Sequence, residues 1–195
     1  MPPESIVLVG LSGSGKSTVG PLVARLLGWD FIDTDQLIEA AAERTIPELF
    51  AEEGEARFRE REQAALREAV GRRRAVVSTG GGAPTTPGGR AELAHGFTVW
   101  LVVSPARAAA RLAENPGTPG RPLLAGDPQA RLESLLDARR RWYELADAAV
   151  DVDYLSPEQA AEEIVRLWAE SRGHTPRYGH ENIEYGRWHV AATVQ

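Results

Sequence analysis

The chain has 195 residues, 26% charged and 43% hydrophobic, with a formal net charge of −6. That length and mix suit one domain with a real core, and the acidic balance argues against sequence-independent binding to nucleic acid. There is no cysteine, which excludes a disulfide scaffold, and neither an apolar run long enough for a membrane span nor a signal-peptide pattern, so a cytoplasmic protein with no membrane partner is expected.

In chain order, Ile6-Val7-Leu8-Val9 is a buried strand by pattern, being apolar and mostly β-branched. Gly10-Leu11-Ser12-Gly13-Ser14-Gly15-Lys16-Ser17 follows and reads G-x-x-x-x-G-K-S, the spacing of a phosphate-binding loop. From Thr18 to Leu27 the apolar residues Val19, Leu22, Val23, Leu26 and Leu27 fall at helical spacing. The motif therefore lies between a strand and a helix, where its backbone N–H groups and the helix N-terminus can hold a polyphosphate. Lys16 is the only lysine; the other twenty-one basic residues are arginine. A compact ammonium, rather than a flat fork, suits the space between phosphates. The motif assigns Lys16 to the β- and γ-phosphates and the Ser17 hydroxyl to Mg²⁺.

Trp29 to Ile32 is a second short strand, ending in Asp33-Thr34-Asp35, and helical spacing resumes at Leu37, Ile38, Ala41 and Ala42. Thr45 with Glu48 forms a capping box for Ile46 to Phe50. Gly54 interrupts; a charged helix then runs from Glu55 to about Val70, with Phe58, Ala65, Leu66 and Ala69 as its buried stripe and Gly71 at its end. Ala75 to Ser78 is a third strand leading into Thr79-Gly80-Gly81-Gly82, and a short helix follows Pro87. Phe97 to Val103 is a fourth strand, and Pro105 opens a helix to about Leu112. Asn115 to Asp127 carries three prolines and three glycines and reads as a mobile loop. Pro128 opens a helix to about Leu145, Ala149 to Val152 is a fifth strand, and Pro157 opens a last helix ending near Gly173.

Five buried strands alternating with helices imply a parallel sheet covered on both faces, with ligands at the carboxyl ends of the strands. The phosphate loop, the Asp33/Asp35 pair and the glycine triplet each follow a strand and so share that end. Taken singly, Asp33 and Asp35 are also consistent with capping carboxylates, Arg59 with a charged helix face, the glycine triplet with a turn, and Arg121 with a loop arginine.

The chain resembles the shikimate kinase family from Ile6 to about Leu167. The resemblance rests on the phosphate loop, Asp33-Thr34-Asp35, Gly54-Glu55 with Phe58-Arg59 and Glu62, Gly80-Gly81-Gly82-Ala83, Arg121-Pro122-Leu123-Leu124, and Arg139 with Tyr143. It implies a three-layer α/β P-loop NTPase fold, nucleoside-monophosphate-kinase-like, with a five-stranded parallel sheet and helices on both faces. It also implies a domain over 1–173 that phosphorylates the 3-hydroxyl of shikimate with ATP and Mg²⁺, acting as a monomer. Gly13, Ser14, Gly15, Lys16, Ser17 and Thr18 would bind ATP, with Arg111 along the adenine. Ser17 and Asp33 would hold Mg²⁺. Asp35 would accept the reacting hydroxyl, and Arg59, Gly80, Gly81, Gly82 and Arg139 would bind shikimate; Arg140 is the alternative to Arg139, because the register there is open. Arg121, in a lid at about 115–126, would offset charge on the transferred phosphoryl and act with Lys16 and Asp35 in catalysis. The lid runs a few residues long, and Tyr154-Leu155-Ser156 stands where the family often has basic residues near the adenine.

Two other readings compete. Another small-molecule kinase on the same fold would act on a sugar acid or a nucleoside monophosphate, but Asp35, Arg59, Gly81 and Arg139 suit a polyhydroxy acid. A non-catalytic ATP-dependent switch would be expected to lack Lys16, Asp33 or Asp35, and all three are present. The tail 174–195 matches no family pattern and is read as a flexible extension, with a linker to a further domain or a segment docking on this one as the alternatives. Its His174, His180 and His189 are too irregularly spaced to argue for a metal site.

Overall fold

A computed structural model describes residues 4–114 and 127–172. The lid expected at about 115–126, with Arg121, and the tail 174–195 lie outside the described residues. Five strands, β1 (Ser5–Val9), β2 (Asp30–Asp33), β3 (Ala75–Ser78), β4 (Phe97–Val102) and β5 (Ala148–Asp151), form one sheet in the order β2-β3-β1-β4-β5. Every pairing is parallel. The helices are α1 (Lys16–Leu27), α2 (Thr34–Ala42), α3 (Ile46–Gly71), α4 (Pro87–Leu93), α5 (Pro105–Glu114), α6 (Pro128–Tyr143) and α7 (Pro157–Ser171), with a short 3₁₀ turn over Ala83–Thr85. Among the described residues no helix is long and apolar enough to cross a membrane.

The central strands behave as their apolar runs predict. All residues of β1 and β3 are buried, so both faces of the sheet are covered there. The expectation of five buried strands fails at the two ends. In β2 only Ile32 is buried and in β5 only Val150, because these are the edges of the sheet, with helices covering them only in part. Leu26, placed on the buried stripe of α1 by its spacing, is 40% exposed. The helix starts carry the expected chemistry. The Thr45 N–H donates to Glu48 Oε2 at 2.8 Å, and Asp127 Oδ1 accepts from the N–H groups of Gln129 and Ala130 to open α6. The break at Gly54 is a kink within α3, at φ 76° and ψ 173°, a conformation that requires glycine.

One packing detail sets the site. Leu8 and Asp33 both pair with Ser78, so the carboxyl ends of β1, β2 and β3 stop at one level. Thr79 secures that level, donating from its N–H (3.2 Å) and its hydroxyl (3.0 Å) to the Leu8 carbonyl. The segments 10–17, 33–35 and 79–82 therefore emerge side by side. A second apolar cluster of Ile38, Leu49 and Phe58, with Phe50 and Phe58 ring centroids 4.3 Å apart, fixes α2 and the first turns of α3 beside them.

Candidate active site

The loop before α1 is a tight cradle. Gly13 sits at φ +81°, and a Cβ there would stand 2.6 Å from the Ala108 carbonyl of α5, so only glycine fits on both counts. Lys16 is buried at the first position of α1. Its Nζ donates to the carbonyls of Gly10 (2.9 Å) and Leu11 (2.8 Å) and to Ser14 Oγ (3.3 Å). The first turn of α1 carries no acidic side chain. The positive end of the helix is thus not offset by a side chain of its own first turn and favours an external anion. Ser17 and Thr18 lie exposed on the same turn.

Asp33 is at once a cap and a bridge. As the residue before α2 it accepts the Asp35 N–H at Oδ1 (3.0 Å), while Oδ2 accepts from Ser17 Oγ at 3.1 Å. A carboxylate and a hydroxyl side by side are hard oxygen donors of the kind Mg²⁺ prefers. Among the described residues no group of three or more His, Cys, Asp or Glu could hold a metal ion. A site that takes one or two protein oxygens and completes its shell with phosphates and water matches that composition.

The second half of the site surrounds the glycine triplet. A Cβ at Gly80 would stand 2.7 Å from Glu62 Oε1 and 3.1 Å from Asp35 Oδ1; one at Gly81 would stand 3.2 Å from Arg139 Nη1; one at Gly82 would stand 2.4 Å from Arg59 Nη1. Two carboxylates and two guanidinium groups thus converge on three consecutive backbone units that carry no side chain. Arg59 is gripped from its own helix, donating to Glu62 Oε2 at 2.7 Å and to Glu55 Oε1 at 3.2 Å. Burial by itself would lower the Arg59 guanidinium, but the charges of Glu62 and Glu55 hold it above its ordinary value. Burial raises the Glu62 carboxyl above the usual carboxylate range, and Arg59 and Arg139 oppose that shift without cancelling it. Arg139, half-buried, faces the triplet, whereas Arg140 is exposed, so Arg139 is the one in reach. On the other side of the phosphate loop, Arg111 donates from Nη2 to the Val152 carbonyl at 2.6 Å, just past β5. Its Nη1 would lie 3.9 Å from a Cβ at Gly15.

Two members of the site had a place in the family pattern but no role in the sequence reading. Glu62 is buried, and the signal for it was available. It lies four residues after Phe58 and four before Leu66, on the apolar stripe of α3, where a charge needs a partner. Tyr143 likewise falls on the stripe of Leu132 and Leu136 in α6, and its hydroxyl donates to the Gly81 carbonyl at 2.7 Å.

This geometry agrees with what the chain matches among known proteins. The shikimate kinase family model matches residues 12–169. A shikimate kinase of Gloeobacter violaceus is 45% identical over 166 residues, which are 85% of this chain and 92% of that one. A shikimate kinase of Synechococcus sp. (strain RCC307) is 43% identical over 163 residues, 83% of each chain. Among solved structures, the shikimate kinase from Acinetobacter baumannii in complex with shikimate superposes with a TM-score of 0.80 at 35% identity, over 87% of this chain and 94% of that one. With the match running from the phosphate loop into α7, and identity at this level over most of both chains, this chain belongs to the shikimate kinase family.

Proposed function

We propose that the chain transfers the γ-phosphoryl group of ATP to the 3-hydroxyl of shikimate, giving shikimate 3-phosphate and ADP in the shikimate pathway. One observation carries the residue assignment: Arg59, Arg139, Glu62 and Asp35 all abut Gly80–Gly82, just past the strand next to the one that carries the phosphate loop. A carboxylate bound by paired guanidinium forks at one end, with hydroxyls against a carboxylate at the other, describes a polyhydroxy acid. A nucleoside monophosphate would instead call for an apolar or aromatic face against its base.

In this reading the ATP phosphates lie in the loop over Gly13, Ser14, Gly15 and the first turn of α1 with Ser17 and Thr18. Lys16 exchanges the Gly10 and Leu11 carbonyls for phosphate oxygens. Ser17 and Asp33 would hold Mg²⁺, which offsets the charge of the phosphates when bound. Arg111 lies along the adenine, at the rim between the loop and the end of β5. Arg59 and Arg139 bind the shikimate carboxylate, and Gly80–Gly82 let the ring approach the backbone. Asp35, in the first turn of α2, accepts the 3-hydroxyl, orients its lone pair towards the phosphoryl group and takes the proton as the bond forms. Glu62 keeps Arg59 in place by the 2.7 Å bond. In this reading the enzyme acts as a monomer in the cytoplasm. The decisive experiment is coupled ADP release with shikimate, gluconate and nucleoside monophosphates as acceptors. Turnover with shikimate far above the others is expected; preference for gluconate or a nucleotide would refute the assignment of the acceptor site.

A further inference from the structure

Tyr143 is the last residue of α6 and is wholly buried, yet it ends in a hydroxyl that faces the glycine triplet. That hydroxyl donates to the Gly81 carbonyl at 2.7 Å. The guanidinium of Arg139, one helical turn earlier, lies against the same peptide: its Nη1 would stand 3.2 Å and the Tyr143 hydroxyl 3.6 Å from a Cβ at Gly81. Burial raises the phenol above its ordinary value, and the neighbouring Arg139 opposes this, so the group is a neutral donor and acceptor at any working pH. Its ring stacks on Trp100 of β4, centroids 5.8 Å apart and planes 26° apart. Trp100 Cδ1 in turn would lie 3.5 Å from a Cβ at Gly10, the first residue of the phosphate loop. The Gly10 carbonyl also faces the triplet, 3.2 Å from the Cβ position of Gly81.

We propose that Tyr143 is a positioning residue for the acceptor: its one hydroxyl fixes both the Gly81 peptide and the Arg139 guanidinium, and so sets where the acceptor carboxylate sits relative to the phosphate loop. The inference rests on the reading of Arg139 as a carboxylate ligand. A long arginine side chain that is only half-buried still samples several rotamers, and that freedom must be lost when it binds. A buried hydroxyl held beside its guanidinium narrows that search beforehand and leaves its donors turned towards the substrate. The same hydroxyl holds the Gly81 carbonyl away from the acceptor, so the peptide cannot turn a lone pair towards a carboxylate. Substrate binding and peptide geometry are thereby tied to a ring that is itself clamped against β4.

The test is Tyr143→Phe, which keeps the ring on Trp100 and removes only the hydroxyl. KM for shikimate is expected to rise about tenfold, with KM for ATP unchanged within about twofold and kcat reduced far less than the affinity. Shikimate methyl ester supplies a second readout. The wild type should discriminate strongly in favour of the free acid, and Tyr143→Phe should discriminate less, because the carboxylate is then read by a loosely held Arg139. A variant that melts earlier but keeps KM for shikimate and the full acid-to-ester preference would overturn the proposal and leave Tyr143 a core residue. Arg139→Lys is the control for the underlying reading. If that change leaves shikimate KM and the ester preference untouched, Arg139 is not a carboxylate ligand, and both statements fall together. If Arg139→Lys matters and Tyr143→Phe does not, only the inference about Tyr143 falls. Should Tyr143→Phe not fold, the unmodified enzyme labelled with ¹³C at tyrosine Cζ replaces it. Shikimate should shift the Tyr143 resonance as Arg139 engages the carboxylate, and an unmoved resonance at saturation refutes the link.

Discussion

Gly82→Ala separates the fold from the acceptor site with one methyl group. Gly82 lies at φ −92° and ψ −12°, where alanine is allowed, so the substitution strains no backbone. Its cost is space alone. The new Cβ would stand 2.4 Å from Arg59 Nη1 and 2.9 Å from Cζ and Nη2, whereas non-bonded carbon atoms are at ease at about 3.5–4.0 Å. What it meets is the far end of a flexible side chain, so the fold yields by moving the guanidinium by about 1 Å or more. That shift breaks the 2.7 Å bond to Glu62 and takes Arg59 off the line of the substrate carboxylate. A hydrogen bond to a charged group contributes about 1.5–3 kcal/mol, so KM for shikimate should rise roughly 10- to 150-fold. The ATP side does not touch this methyl, so KM for ATP should hold, and the melting midpoint should fall by no more than about 4 °C. Initial rates of ADP release with each substrate varied, together with a thermal melt, measure all three. Gly13→Ala is the contrasting control: there the methyl meets the Ala108 backbone carbonyl at φ +81°, so stability and ATP affinity should both suffer. If Gly82→Ala melts far earlier while keeping its shikimate KM, Arg59 is not a substrate ligand and the reasoning from the triplet fails.

Lys16→Ala should abolish phosphoryl transfer, since the ammonium is the only lysine near the loop; a variant retaining more than about a tenth of wild-type turnover contradicts its role. The same change should leave a folded protein, which circular dichroism checks, although it frees two loop carbonyls that Nζ now satisfies. Asp35→Asn keeps the shape and removes charge and basicity, so kcat with shikimate should drop at least about a hundredfold with little change in ATP binding, and normal turnover would reduce Asp35 to a first-turn helix residue. Glu62→Gln tests the buried pair by pH. A carboxyl raised by burial above its ordinary 4.5 binds its proton more tightly in the folded chain than in the unfolded one, so its contribution to stability falls as pH rises from about 4.5 through the raised value and stays low above it. Urea midpoints between pH 4 and 8 should therefore decline less in the Gln variant over that interval; parallel curves for the two proteins would argue against a raised Glu62.

The parts of the site that were legible in the sequence are those carried by consecutive residues. The loop from Gly10 to Ser17, the Asp33/Asp35 pair and the glycine triplet can each be read as a string, and each follows a strand as its pattern says. What could not be read is anything that depends on which elements become neighbours. Leu8 and Asp33 meet across Ser78 only because β3 lies between β1 and β2, and no periodicity in the chain encodes that order. The choice between Arg139 and Arg140 is similar. Both are three or four residues from Leu136 and Tyr143, so helical spacing admits either, and it is packing that places Arg139 against the triplet. The exposure of β2 and β5 escaped for the same reason: a short apolar run looks alike at the centre and at the edge of a sheet.

The strand order also explains how two arginines so far apart in sequence come to lie against one glycine triplet, as the proposed carboxylate site requires. β1, with the phosphate loop at its end, is central; β3 and β2 flank it on one side, β4 and β5 on the other. Arg59 comes from α3, the connection between β2 and β3, and Arg139 from α6, the connection between β4 and β5. The two guanidinium groups therefore belong to opposite halves of the sheet and meet over its middle, against Gly81 and Gly82. Their separation is set by the whole width of the domain rather than by one helix. Arg59 is steadied by Glu62 and, in the inference above, Arg139 by Tyr143, and Glu62 and Tyr143 are each buried on the apolar stripe of the same helix as the arginine. A helix shift of a fraction of an ångström is thus carried to the guanidinium with little slack, which favours a substrate that fills the gap between both forks at once. A shorter acid could satisfy one fork only, and would forgo the charge-assisted hydrogen bonds of the other.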